Sequence, residues 1–150
     1  AQRHGYNPEI ILAGRRVNDG MGEYVANETI KLMLKKGIQV LGSNILILGF
    51  TFKENCPDVR NTKVIDIVKG LQEYNLNITI YDPWANPSIT KCEYGIEIMN
   101  ALPKSRYDAI ILAVSHNEFQ YIKVDSLLND KYVIFDVKSV MDKMKIDGRL

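Results

Sequence analysis

The sequence predicts an α/β protein in which a parallel sheet, doubly wound, is preceded by one long N-terminal helix. Three observations carry this. Four apolar runs, SNILILGF, NITIYDP, YDAIILAV and KYVIFDV, are too continuous for strands with one wet face. Stretches of helical periodicity separate them, and parallel strands need such crossovers. The residues ahead of the first run show helical periodicity and no strand pattern.

Taken in order, Asn7 suits the cap of the first helix, Pro8 its first position and Glu9 its positive dipole end. Apolar side chains recur at Ile10, Val17, Met21, Tyr24, Val25, Leu32 and Met33. Lys35, Lys36 and Gly37 read as its end. Unbroken from Pro8 to Lys36 it would be roughly 43 Å long. Such a rod suits a link between domains or a contact with a second subunit. Gly14, Gly20 and Gly22 each cost about 1 kcal/mol against alanine, so NDGMG is where it would bend.

The first strand ends at Gly49, and TKVIDIVKGLQEY then places Val64, Ile65, Val68 and Leu71 on one helical face. The second strand ends at Asp82 and Pro83, and residues 97–102 form a short helix candidate. The third run is followed by KVDSLLN, a helical turn or two, and then by the fourth strand. Right-handed crossovers make this arrangement Rossmann-like.

At 150 residues the chain can bury a real core without staples. Its 46% hydrophobic and 25% charged content is that of a soluble globular domain. A net charge of +1 gives no overall field for nucleic acid or a membrane surface, so any anion site is local. The 2 cysteines have neither metal-ligand spacing nor the makings of a disulfide framework, which fits a reducing cytoplasm. No apolar run approaches the ~20 residues of a membrane span, and AQRHGYNPE has no signal-peptide core.

In an open parallel sheet, ligands bind beyond the carboxyl ends of the strands. Those ends deliver Gly49 to Lys53, then Asp82, then Ser115 and His116, then Asp136 to Ser139. The richest loop is GFTFKENCPDVRNTK. It has no G-x-G-x-x-G and no Walker pattern, so it cannot cradle a pyrophosphate on its backbone in the usual way. It offers Lys53, Arg60 and a helix start capped by Asn61 or Thr62, a combination suited to a diphosphate. The competing reading makes Lys53 and Arg60 ordinary solvated cations.

A nucleophilic role for Cys56 would need a histidine or cations to lower its pKa, and no histidine is near it in sequence. It reads as structural or incidental, and so does Cys92 in an expected loop. Asp82 is placed either to hold a ribose or to make a turn. His116 could contact a ligand but reads rather as a loop histidine bonding to backbone, and Lys138 could reach the same rim as Lys53 or be a plain surface lysine.

The segments GFTFKENCPDVRNTKVIDIV, AGRRVNDGMGEYV, IYDPW, AVSHNEF and FDVKSVMD span nearly the whole chain. Together they resemble the C-terminal, UDP-binding domain of the UDP-glucose/GDP-mannose dehydrogenase family, and stand in the family's order. Phe52, Lys53, Asp58 and Arg60 carry the most specific part. The wording is closest to the branch acting on UDP-N-acetyl-hexosamines for capsule or O-antigen.

The resemblance implies that residues 1–38 end a central helical, dimer-forming region and residues 39–150 form the UDP-sugar-binding domain. It implies an enzyme that oxidises a sugar C6 alcohol to the carboxylate with two NAD, through an upstream cysteine. Carried over by position, Phe52, Lys53 and Lys138 would contact the UDP-sugar, and Arg60 would reach toward NAD bound by another domain. Asn18 and Asp19 match a helix motif that implies packing or dimerisation. The family's NAD fingerprint and catalytic cysteine are absent from this sequence, so Cys56 and Cys92 inherit no role and the chain alone is expected to be inactive. The alternative is a stand-alone, non-catalytic UDP-sugar-binding or assembly module.

Overall fold

The computed structural model describes residues 20–150. The expected start of the first helix, with Asn7, Pro8, Glu9, Ile10 and Val17, and the motif residues Asn18 and Asp19, lies outside the described residues.

Helix α1 (Met21–Lys35) buries Gly22, Val25, Ala26, Thr29, Ile30 and Met33. That spacing of three and four keeps one stripe inward. The stripe differs from the one read from apolar residues alone, because Tyr24 is 52% exposed while Gly22 and Ala26 are inside. The reason is a close crossing with α2 (Val64–Gln72). A Cβ on Gly22 would stand 2.4 Å from Asp66 Cβ, and one on Gly70 would stand 2.8 Å from Ala26 Cβ. Gly22, which helix propensity counts as a weakness, is what lets the two helices approach.

Strands β1 (Asn44–Leu48), β2 (Asn77–Tyr81), β3 (Tyr107–Leu112), β4 (Leu128–Asp136) and β5 (Gly148–Arg149) form one sheet in the order β2-β1-β3-β4-β5. Every pairing is parallel. The continuous apolar runs divide by alternation. Ile45, Ile47, Ala109, Ile111, Val133 and Phe135 face one layer, and Leu46, Leu48, Ile110, Leu112 and Ile134 face the other. Helices α1 and α2 cover the first layer. Short 3-10 turns at Asn117–Tyr121 and Val124–Leu127 cover the second, with Phe119 and Val124 packed on it.

Three elements depart from expectation, the first being strand β5 (Gly148–Arg149), which the four-strand reading did not include. Residues 97–102 are not helical; Met99 instead pairs in parallel with Tyr81 at the sheet edge. The helix lies earlier, at α3 (Pro87–Tyr94), where Asn86 Oδ1 accepts from Ile89 N at 3.0 Å and left-handed Gly95 ends it. Asn-Pro at its start and glycine at its end were its sequence signals. Cys92 is therefore on an exposed helix and not in a loop. No described helix is long and apolar enough to cross a membrane.

Candidate functional site at the carboxyl ends of the strands

The sheet order reverses direction between β1 and β3, which opens a crevice beside the loops that follow them. Gly49 stands at that point with φ +94, and a Cβ there would be 2.5 Å from Val114 Cβ. The glycine lets the two loops touch. Beyond it Phe50 turns inward, edge-on to Tyr94 at 5.5 Å, and Thr51 is buried. Phe52 N donates to Asp58 O at 2.7 Å and closes the loop, leaving the Phe52 ring 55% exposed.

Asp82, at the end of β2, is fully buried and takes five donors. Its Oδ2 accepts from Phe50 N at 2.6 Å, Thr51 N at 3.0 Å and His116 Nε2 at 2.9 Å. Its Oδ1 accepts from Trp84 N at 2.7 Å and Ala85 N at 3.0 Å. Burial pushes this carboxyl up, but the bonds from His116, Phe50 and Trp84 together prevail and hold it below its ordinary value. Asp136, at the end of β4, does the same for the last loop, accepting from Lys138 N, Ser139 N and Met141 N. Both strand-end acids are clamps on backbone.

His116 is buried beneath the loop. Its Nδ1 accepts from Asn55 N at 2.9 Å, which places the ring proton on Nε2 facing Asp82. Bonding to backbone was expected; the partnership with Asp82 was not. Asn55 sits at φ 55, a left-handed conformation asparagine tolerates, and its Oδ1 accepts from Asn117 N at 2.9 Å. Since both ring nitrogens are engaged, His116 offers no base to half-buried Cys56.

The basic residues are held differently from one another. Lys138 Nζ lies 2.8 Å from Glu54 Oε1, which also accepts from Ser115 Oγ at 3.3 Å. The hydrogen bond from Lys138 draws the Glu54 carboxyl below its usual range. Arg60 forks onto Asp58, with Nε 3.1 Å from Oδ1 and Nη2 3.3 Å from Oδ2, and its side chain is 77% exposed. The hydrogen bond from Arg60 holds Asp58 below its usual range as well. Lys53 is exposed in the loop that follows β1.

A cavity of about 320 Å³ opens where α1, α2 and the loops meet, lined by Phe52, Lys138, Thr51, Thr62 and Val137 among others. It brings Phe52 and Lys138 together at the start of α2, and neither Lys53 nor Arg60 lines it. The expected cap of α2 is partly present: Thr62 Oγ1 accepts from Val64 N at 3.2 Å, whereas Asn61 is left-handed and outside. A second cavity of about 460 Å³ lies between Leu112, Ser115, His116 and Phe119. Among the described residues, no three His, Cys, Asp or Glu side chains gather as a metal site would need.

A profile of the UDP-glucose/GDP-mannose dehydrogenase family, UDP binding domain, matches residues 46–143. The chain belongs to this family. A UDP-N-acetyl-D-glucosamine 6-dehydrogenase of Salmonella typhi is 50% identical over 153 residues, covering 100% of this chain and 36% of that protein. Another, of Pseudomonas aeruginosa, is 48% identical with the same coverage, 100% and 36%. The crystal structure of an NDP-N-acetyl-D-galactosaminuronic acid dehydrogenase from Methanosarcina mazei superposes with a TM-score of 0.80 at 24% identity, over 99% of this chain and 33% of that one. That last likeness concerns the fold. The chain spans about a third of the length of the curated relatives it matches.

Dehydrogenases of this family call for a nicotinamide cofactor, and the described residues do not fit one. Gly49 is used by the contact with Val114, not by a phosphate. The amides of Phe50 and Thr51, which a pyrophosphate would need, are given to Asp82. The Asp82 carboxylate, in turn, has no acceptor capacity left for a ribose diol. Glu54, Asn55 and Asn117 are the participants that sequence reasoning missed. An asparagine in a strand-end loop was a weak signal for the left-handed turn at Asn55; Glu54 and Asn117 had none.

Proposed function

We propose that this chain is the donor-binding part of an NAD-dependent UDP-sugar 6-dehydrogenase, acting on UDP-glucose or a UDP-N-acetyl-hexosamine. The family match over residues 46–143 to a UDP binding domain carries the reading. The strand-end geometry supports it in part: Phe52 and Lys138 line one cavity at the start of α2, where a diphosphate would meet a cation and a helix N-terminus, and exposed Lys53 would have to reach in from the adjoining loop. Taking a C6 alcohol to a carboxylate is a four-electron oxidation that also consumes water, and two NAD, held by residues outside this chain, would supply the oxidant. In this reading the NAD fingerprint and the nucleophilic cysteine lie on sequence outside the chain, in a cytoplasmic homo-oligomer. In the same reading Arg60, whose side chain is exposed on its Asp58 fork, would reach toward that NAD.

The test uses the full-length polypeptide that carries this chain, assayed for NADH formation across a panel of nucleotide sugars. One UDP-sugar should be turned over well above the others. Lys53→Ala should weaken UDP binding about tenfold, as expected for loss of one charge-assisted contact. If no UDP-sugar yields NADH and UDP does not bind at millimolar concentration, the reading is wrong. A polypeptide that binds UDP tightly without turning over any sugar would be the non-catalytic module instead.

A further inference from the structure

The loop that carries Phe52 and Lys53 is anchored in the core by Phe50 and Val59, with Phe52 and Lys53 themselves exposed between them. It is also held by polar contacts to other strand ends. Phe50 N and Thr51 N go to Asp82, Asn55 N goes to His116, and Asn55 Oδ1 takes Asn117 N. His116 is the piece common to two of these ties, since Nε2 holds Asp82 while Nδ1 holds Asn55. Its ring is fixed from the sides by Phe119, edge-on at 5.3 Å, and by Trp84, stacked at 6.1 Å. Trp84 is itself tethered through Nε1 to Glu118 at 2.9 Å. A buried imidazole with both nitrogens bonded and both flanks packed has one orientation available to it.

We propose that His116 is a positioning residue for the donor site: through Asn55 it fixes the backbone on which Lys53 is presented. The inference rests on the reading of the rim as a UDP-sugar site. Lys53 lies two positions from Asn55, and Thr51 Oγ1 donates to Lys53 O at 3.0 Å while lying 3.1 Å from His116 Nε2. The lysine is therefore bracketed by residues that touch the same ring. His116 makes no contact with the ligand in this scheme. It removes the loop disorder that binding would otherwise have to overcome.

Two substitutions separate the ring's nitrogens. His116→Gln can still donate to Asp82 from the Nε2 position but offers Asn55 no acceptor. His116→Asn can keep an oxygen near the Nδ1 position and loses the donor to Asp82. In the full-length polypeptide, His116→Gln should raise the UDP dissociation constant about tenfold, and His116→Asn by less. In a Lys53→Ala background, His116→Gln should cost under about twofold, because what it positions is gone. Asn55→Gly, at an exposed left-handed site where folding is not at risk, should reproduce part of the loss and the same coupling. Losses that simply multiply, or a His116→Gln protein that binds UDP like the parent, would overturn the proposal.

Hydrogen exchange over residues 50–55 gives a second readout that needs no ligand, and His116→Gln should speed it. If the parent itself binds no UDP, the donor-site reading fails. The role of His116 in ordering the loop is then judged by exchange alone: faster exchange sustains it and unchanged exchange overturns it.

Discussion

At the scale of the residue, the decisive chemistry is how Asp82 spends its charge. Five N–H groups surround a fully buried carboxylate, so the group is worth more ionised in the fold than in the open chain. Its folded value lies below its unfolded one. The stabilisation is therefore complete above the unfolded value and disappears as pH falls through the folded one. Acid titration of thermal stability should show a steep loss below about pH 4, and Asp82→Asn should flatten it while costing about 3 kcal/mol at neutral pH. An unchanged acid limb in that variant would exclude Asp82 as its source. Cys56 stands at the opposite extreme. It is half-buried, and the one histidine among the described residues has both ring nitrogens engaged, so Cys56→Ser should leave NADH formation in the full-length polypeptide within about twofold and stability within about 0.5 kcal/mol. A folded but inactive Cys56→Ser protein would make it a nucleophile after all.

At the scale of the element, the two backbone crossings that place the site both depend on glycine. Gly49→Ala would drive a Cβ into Val114 while forcing a left-handed residue. A cost of about 3 kcal/mol or more is expected, read as a fall of roughly 6–12 °C in melting temperature for a chain of this size. A melting point within 2 °C of the parent, by the same order-of-magnitude reckoning, would show that the loops can part cheaply. These crossings mark how far the sequence was legible. The four apolar runs and their parallel order were readable because burial on both faces leaves no alternative pattern. So was the strand-end rim, which follows from topology. The buried stripe of α1 was legible at Val25 and Met33 but not at Gly22, Ala26 and Thr29, whose small side chains carry little apolar signal; the facing helix reveals why they point inward. Helix α3 was missed because its apolar content is slight, although Asn86, Pro87 and Gly95 framed it. Which cation meets which acid, Lys138 with Glu54 and Arg60 with Asp58, depends on loop paths that periodicity does not encode.

At the scale of the whole molecule, α1 is part of the same interior as the sheet: Val25, Ala26, Ile30 and Met33 share a core with Val64, Val68, Val133 and Phe135. Deleting residues 1–36 should uncover that face, and the remaining chain should bind a hydrophobic dye and lose its cooperative melting transition. A deletion that still melts cooperatively would locate an autonomous boundary near residue 38. The site is spread just as widely. The loop after β1 draws its partners from positions 31 and 32 residues away at Asp82, and 61 and 62 residues away at His116 and Asn117. Contacts so distant along the chain form late, after the sheet that brings them together. During synthesis, then, Lys53 emerges before its partners and remains on a slack tether until the third strand and its histidine have docked. The capacity to hold a ligand would arrive as one of the last events of folding and report that the fold is complete.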